Sequence, residues 1–574
     1  MTPLFRLLLL LSLLFVQSCQ CINPKPLKLP AQNAIASAHP LATQAGMDIL
    51  NHGGNAFDAA VAVAAVLGVV EPYSAGLGGG GFWLLHRASD NQNIFVDARE
   101  KAPLASHRDM FIDSSGKVDR DKATNGPLSS AIPGQPAAFD HLAKHYGNLS
   151  LQQTLQAAID YAKNGFPVDP IYLKRINYRQ AVLQRFADSQ QIFLKNNKTL
   201  TLDDTIIQPD LAITLSRLAE HGANGFYQGP TAEKLVEGVQ AAGGIWQLDD
   251  LTQYQIKERQ PIEFNFGGVH IVSAPPPSSG GIALSEMFGM LRHYDSAKLD
   301  DTTQTHLLIE VMRRAYRDRA EHLGDSDFYP VPIEKLTSPI HHQQLADSIN
   351  TNKATASTDL GTPRDHHSGP HTTHFSVIDQ QGNYVAATLS INLPFGSGFT
   401  VPGTGVLLNN EMDDFSAKPG SPNAFGLVGS EANAIAPSKR PLSSMTPTFA
   451  EFTLNNEQQV AIIGTPGGSR IITMVLLGLL EALDHQPPSA WVSRPRFHHQ
   501  YLPDQIQFEP GALNVQQQEQ LKQLGHSLKP LTDTYGNMQA LRWNVAQGTV
   551  EAASDPRGIG QAIIAPTQIE SNNK

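Results

Sequence analysis

The chain has 574 residues, 41% of them hydrophobic, and its 42 basic and 53 acidic side chains give a formal net charge of −11. This length allows several domains and a large core. The acidic balance, with no basic cluster, argues against a nucleic-acid partner, and no internal run of about 18 apolar residues predicts a membrane-spanning helix.

The N-terminal segment has the pattern of a secretory signal. A basic start precedes a short apolar run, LLLLLSLLFV (7–16), and the residues before the predicted cleavage point at Ser18 are of modest size. We therefore predict a signal peptide over 1–18, a linker over 19–32, and export to the periplasm. A lipid anchor on Cys19 is the alternative.

Apolar spacing predicts mainly helices in the first half of the chain. A helical pattern covers 41–70 with a break at 51–56, and strands follow at 82–86 and 94–97. Spacings of three and four residues predict further helices at 135–146, 151–164, 209–221, 230–242, 283–294 and 302–323.

The pattern changes to β-structure in the last third. An exposed loop is predicted over 350–371, where a backbone cut would disturb little packing. Strands are then predicted at 372–379, 384–391, 448–453 and 458–463, and helices at 469–484 and 514–524. Strands bracketed by helices on both sides favour an α/β/β/α layered fold.

The first two of these strands predict a hairpin with a two-residue turn at 381–382. That register sets Thr372 opposite Ile391, beside Ser390 and Asn392. If the backbone were cut before Thr372, its hydroxyl and its new α-amine would form a nucleophile beside its own base. Taken alone, a threonine-rich hairpin is more often ordinary structure.

Several segments in order resemble the γ-glutamyltranspeptidase family, over about residues 33–560. The matching segments are NHGGNAFDAAVA (51–62), DAREKAP (97–103), PPPSSGG (275–281), DRAEHLGDSDF (318–328), TTHFSVID (372–379), LLNNEMDDFSAKPG (407–420), KRPLSSMTPT (439–448), TPGGSRI (465–471) and RPRFHHQYLPD (494–504). The resemblance implies an α/β fold of the N-terminal nucleophile hydrolase type, a four-layer αββα sandwich built from two fragments of one self-cleaved precursor.

The resemblance also implies the maturation and the reaction. Cleavage between His371 and Thr372 would produce a large subunit, 33–371, and a small catalytic subunit, 372–574, which form one intertwined domain. Thr372 would then attack the γ-amide of glutathione or another γ-glutamyl compound. The γ-glutamyl group would pass to water or to an amino acid or dipeptide acceptor.

Individual site residues follow from the same matches. Ser390 would bond to the nucleophile, and Gly467 with Gly468 would form an oxyanion hole. The substrate's α-ammonium would meet Glu411, Asp414 and Asn392, and its α-carboxylate would meet Arg99, Ser443 and Ser444. A lid over 417–440 would carry Phe425 as its aromatic gate. No cofactor and no catalytic metal are predicted.

Two alternatives stay open at this stage. A glutaryl or cephalosporin acylase of the same superfamily would not need the ammonium pocket that Glu411 and Asp414 predict. A non-catalytic envelope binding protein would keep the fold without cleaving itself.

Overall fold

The computed structural model describes residues 28–360 and 372–566, and its centre is a mixed arrangement of antiparallel sheets and helices. The first sheet has seven strands, in the spatial order Gln561–Ile564, Ala34–Ser37, Thr373–Ile378, Tyr384–Ser390, Gly80–Arg87, Gln92–Ala98 and Lys257–Arg259. This one sheet therefore combines strands from both sides of the predicted cleavage point.

The second sheet has six strands and shows the same mixing. Its spatial order is Val550–Ser554, Gln539–Asn544, Glu457–Gly464, Thr448–Leu454, Val269–Ser273 and Ile262–Phe266. The two predicted strands near 448 and 458 are confirmed as central members. The other four have no counterpart among the predicted elements.

The two faces of the first sheet bury their side chains in different cores. Along the strand Gly80–Arg87, Trp83 and Leu85 join a core formed with the helices of the N-terminal half. Phe82 and Leu84 alternate with them and join a second core, which includes Ile462 of the second sheet. This alternation is the period of two that a strand buried on both faces requires.

The predicted helices are confirmed within a few residues at their ends. The longer helices are Pro40–Asn51, Ala56–Val70, Gln135–His145, Leu151–Asn164, Pro170–Leu183, Pro209–His221, Gly229–Ala241, Gly280–Leu291, Asp301–His322, Pro339–Asp347, Ile471–Leu483 and Val515–Gln523. At the break over 51–56, Asn55 caps the second helix and forms a capping box with Asp58. Of the described helices, none is long and apolar enough to cross a membrane.

The hairpin that begins at Thr373 has a register one residue away from the predicted one. Thr373 pairs with Leu389 and Ile378 pairs with Tyr384. A three-residue loop at 380–382 replaces the predicted two-residue turn, with Gly382 at a φ of 88°. Continuing this register by one step sets Thr372 opposite Ser390, so the predicted pairing with Ile391 is wrong.

Candidate active site

Thr372 lies directly before a central strand of the first sheet and lines a small pocket. Only 6% of its surface is exposed. Eight other predicted residues line the same pocket, namely Arg99, Ser390, Asn392, Asp414, Phe425, Ser443, Ser444 and Gly468. The cavity of about 20 Å³ has room for a single water-sized group. His371, the residue before the predicted cleavage site, lies outside the described residues.

Arg99 is fully buried and holds the two acidic residues predicted to bind an ammonium group. Its Nη1 lies 2.9 Å from Oε2 of Glu411, and its Nη2 donates to Oδ2 of Asp414 at 2.6 Å. Its Nε donates to the carbonyl oxygen of Pro441 at 3.2 Å, and Glu100 lies 3.6 Å from its Nη1. The predicted cation and anions therefore form one cluster.

Burial controls the charge of this cluster. It raises the pKa of Glu411 well above the usual range, although Arg99 opposes the shift, and it raises the pKa of Glu100 to about 7. In the described part of the chain, neither carboxyl oxygen of Glu411 accepts a well-aligned hydrogen bond. Beside the guanidinium of Arg99, this buried carboxyl therefore has the capacity to accept from a further donor.

Ser390 and Asn392 lie at the end of the strand that pairs with the Thr372 strand. The Oγ of Ser390 accepts a hydrogen bond from the backbone N–H of Asn392 at 2.8 Å. Asn392 has a φ of 71°, which turns the chain out of the sheet, and its Nδ2 donates to the carbonyl oxygen of Asn410 at 2.9 Å. These bonds fix both side chains beside Thr372.

Ser443 and Ser444 form another wall of the pocket, on the segment that leads into the second sheet. The Oγ of Ser443 accepts from the backbone N–H of Met445 at 3.1 Å. Among the described residues, the buried Oγ of Ser444 has no hydrogen-bond partner. Ser444 can therefore donate to a carboxylate, as the sequence predicts.

Gly467 and Gly468 lie where a strand of the second sheet meets a helix. Their φ values are 154° and 58°, and a 3₁₀ turn over Gly468–Arg470 leads directly into the helix Ile471–Leu483. A Cβ on Gly468 would lie 2.5 Å from the ring of Phe425. Gly468 therefore permits a close approach of Phe425 and lines the pocket, whereas Gly467 does not line it; the oxyanion hole at these glycines stays a prediction.

The predicted lid covers the pocket in this structure. Phe425 is 4% exposed, and its carbonyl oxygen accepts from Nε2 of Gln500 at 3.1 Å. Asn423 donates from Nδ2 to Oδ1 of Asp414 at 3.1 Å. The predicted lid thus contacts one of the predicted ammonium-binding residues directly.

Arg319 also lines the pocket, although no role was predicted for it. It lies on the helix Asp301–His322, and 5% of its surface is exposed. The segment DRAEHLGDSDF contains it, but a helical pattern alone assigns it no function. One feature of the sequence could have singled Arg319 out. It shares a helix face with the apolar residues Ala315 and Tyr316, which are buried, and a charge on a buried face is costly.

Two buried clusters have the residue types of metal sites. His306, Glu310 and His526 form one, and Glu286, Asp318 and His341 form the other. Side chains within each are already bonded to one another, at 2.7 Å between the two histidines of the first cluster. Neither cluster contributes a side chain to the Thr372 pocket. The absence of a catalytic metal stays a prediction.

The pocket combines a hydroxyl, backbone donors and a buried group of opposite charges. Such a set suits acyl transfer from an amide whose acyl group carries both an ammonium and a carboxylate. The individual roles of Thr372 and its neighbours stay predictions, because their positions alone do not test them.

Comparison with solved structures gives the class of the protein. A cephalosporin acylase from Bacillus halodurans superposes with a TM-score of 0.82 at 26% identity, over 95% of this chain and 98% of that one. The γ-glutamyltranspeptidase of Helicobacter pylori gives a TM-score of 0.55 at 35% identity, over 57% of this chain and 94% of that one. Both neighbours are N-terminal nucleophile hydrolases, and this chain shares their fold.

Sequence comparison gives the family. The family described as gamma-glutamyltranspeptidase matches residues 42–565. The glutathione hydrolase proenzyme of Escherichia coli is 40% identical over 534 residues, which cover 92% of this chain and 91% of that protein. The chain belongs to the γ-glutamyltranspeptidase family, and the resemblance found in the sequence is confirmed.

Proposed function

We propose that this protein is a self-processing γ-glutamyltransferase and glutathione hydrolase. The observation that carries the proposal is that the cluster of Arg99, Glu411 and Asp414 adjoins the pocket of Thr372. A γ-glutamyl group carries an α-ammonium and an α-carboxylate, so its binding site requires both signs of charge. Family membership and the curated relatives named glutathione hydrolase proenzymes support the same reaction.

The proposed reaction proceeds through an ester on Thr372. The Oγ1 attacks the γ-amide carbonyl while the α-amine, with a reference pKa of about 8, accepts the hydroxyl proton. The N–H groups of Gly467 and Gly468 stabilise the oxyanion. The C–N bond breaks, the leaving amine takes the proton, and water or the amino group of an acceptor amino acid or dipeptide then attacks the ester.

The proposed maturation uses the same hydroxyl. Thr372 Oγ1 attacks the carbonyl of His371, the peptide becomes an ester, and water opens it to leave one fragment that contains the large subunit 33–371 and a second fragment, 372–574. We propose that the two fragments build one four-layer αββα sandwich. Export to the periplasm is proposed from the apolar run at 7–16, with lipid attachment at Cys19 as the alternative. Both features lie outside the described residues.

The test combines intact mass with activity. We expect the purified protein to give two fragments under denaturing conditions, the smaller beginning at Thr372, and to hydrolyse γ-glutamyl-p-nitroanilide. Thr372→Ala should remain a single chain without activity, whereas the matched control Thr373→Ala should still be cleaved. An uncut wild-type chain that behaves like Thr372→Ala would favour a binding protein instead.

An acylase is the second candidate, because the superposition on the cephalosporin acylase covers 95% of this chain. The two candidates differ in the need for an α-ammonium. We expect γ-glutamyl-p-nitroanilide to be preferred over glutaryl-p-nitroanilide, which lacks only that group. A preference for the glutaryl compound would favour the acylase.

A further inference from the structure

Arg319 is a buried cation that lines the pocket and has no role in the proposed reaction. Its Nε donates to the Oγ of Ser279 at 3.0 Å, which fixes the plane of the guanidinium. Among the described residues, its two terminal nitrogens have no hydrogen-bond acceptor and no carboxylate within ion-pair distance. A guanidinium that is 5% exposed and lacks such partners is costly unless a ligand supplies them.

The anchor of Arg319 is connected to the carboxylate wall of the pocket. The Oγ of Ser279 donates to the carbonyl oxygen of Ser443 at 2.7 Å, and the backbone N–H of Ser279 donates to the same oxygen at 2.9 Å. Arg319 is therefore tied to the segment that presents the hydroxyls of Ser443 and Ser444. All three side chains line the pocket beside Thr372.

The balance of charges favours an anion as the missing partner. Arg99 lies among Glu100, Glu411 and Asp414, so its charge is already compensated. Arg319 is attracted by Asp414, which Arg99 also binds, and is repelled by Arg99. Among the described residues, Arg319 therefore has no ion pair of its own, and the carboxylate of a ligand in the pocket would supply one.

We propose that Arg319 is a second guanidinium ligand of the substrate's α-carboxylate, acting with Arg99, Ser443 and Ser444. Its planar fork can donate two parallel hydrogen bonds to the two carboxylate oxygens. This proposal rests on the proposed function, because it assigns a further contact to the same γ-glutamyl group.

The test compares substrates that differ by one charged group. The processed protein is assayed with γ-glutamyl-p-nitroanilide and with 4-aminobutanoyl-p-nitroanilide, which lacks the α-carboxylate. We expect Arg319→Gln to lower kcat/KM by roughly 10- to 100-fold for the first compound, the effect of losing a charge-assisted hydrogen bond. For the second compound the change should stay below about threefold, because no carboxylate is present to lose its partner.

Matched variants separate binding from folding. Arg317→Gln removes the same charge two residues earlier on the helix, where Arg317 pairs with Asp318 and does not line the pocket. Arg317→Gln should retain wild-type kinetics with both compounds.

If Arg319→Gln fails to fold or to cleave itself, Ser279→Ala is tested instead. This variant keeps the charge of Arg319 and removes the hydrogen-bond acceptor of its Nε. It should show a smaller loss, of about three- to tenfold, restricted to the γ-glutamyl compound.

The other outcomes overturn the proposal. Equal losses with both compounds would show a structural role for Arg319. A loss with glutathione but not with γ-glutamyl-p-nitroanilide would assign Arg319 to the leaving dipeptide. If wild-type protein is active and Arg319→Gln is indistinguishable from it, the inference alone fails. If wild-type protein that has cleaved itself does not act on the γ-glutamyl compound, the proposed function fails and the inference with it.

Discussion

Arg99 is paired with acidic residues of its own pocket. Its ion pairs with Glu411 and Asp414 hold these carboxyls in place, and the lid adds a hydrogen bond from Asn423 to Asp414. A substrate would bring an ammonium to the acids and a carboxylate to the guanidinium. Binding would therefore exchange existing ion pairs for new ones, which limits the number of charges left without a partner at any step.

The first prediction at this scale concerns Asp414. Asp414→Asn should lower kcat/KM for γ-glutamyl-p-nitroanilide by about 100-fold, because the variant loses a carboxylate for the ammonium and leaves Arg99 with one ion pair fewer. With glutaryl-p-nitroanilide, which has no ammonium, the loss should be clearly smaller. Steady-state kinetics with both compounds measure the difference.

Asp413→Asn provides the control for this prediction. Asp413 is equally close to the lid, accepting from the backbone N–H of Ala424 at 2.8 Å, but it does not line the pocket. Any loss it causes should be the same for both compounds. Equal losses in Asp414→Asn as well would contradict a role in ammonium binding.

The sequence predicted the pocket residues to which the family resemblance assigns a role, and it missed Arg319, which lies in a matching segment but has no assigned role. Thr372, Ser390, Arg99 and Ser443 were predicted and lie in one pocket. Arg319 was not, because a charge on a helix is usually solvated. Only the packing of the helix Asp301–His322 shows that this charge is buried and lines the pocket.

At the scale of elements, helices were predicted better than strands. A helix such as Leu151–Asn164 carries its own periodicity and caps, so local sequence defines it. Strands such as Ala34–Ser37 and Gln561–Ile564 have four residues each, and long-range pairing decides them. The hairpin register differed for a local reason, because Asp379 and Asn383 close a three-residue loop instead of a two-residue turn.

A histidine that connects three helices supports a prediction about pH. His341, on the helix Pro339–Asp347, bonds to Oδ2 of Asp318 at 2.6 Å and lies 3.6 Å from Oε1 of Glu286. Hydrogen bonds to Asp318 and then to Glu286 raise the pKa of His341 to about 9. In the unfolded chain its pKa is about 6.5, so its stabilising contribution is complete below that pH and is lost as the pH rises to 9.

His341→Gln should remove this pH dependence. Between pH 6.5 and 9.5, the free energy of unfolding of the wild-type protein should fall by about 2 to 3 kcal/mol more than that of the variant. Denaturant unfolding of the uncut Thr372→Ala background at several pH values measures the difference. His342→Gln is the matched control, because burial lowers the pKa of His342 to about 4 and it does not titrate in this range. Parallel curves for wild type and His341→Gln would contradict the prediction.

At the scale of the whole molecule, both sheets combine strands from the two predicted fragments. Ala34–Ser37 lies between Thr373–Ile378 and Gln561–Ile564, and Gly80–Arg87 pairs with Tyr384–Ser390. In the second sheet, Val269–Ser273 pairs with Thr448–Leu454. Neither fragment contains all the strands of either of these two sheets, so each would expose unpaired strand edges without the other.

The final prediction follows from this interleaving. After cleavage before Thr372, the two fragments should elute together in size-exclusion chromatography under native conditions and separate only on a denaturing gel. They should also unfold in one calorimetric transition, because the cores that hold Trp83 and Phe82 contain side chains from both fragments. Uncut Thr372→Ala should elute at the same volume, since a cut at the end of the predicted loop over 350–371 would remove few contacts. A small fragment expressed alone as 372–574 should be insoluble or unfolded, and a folded, soluble 372–574 would show that its strands do not depend on 33–371.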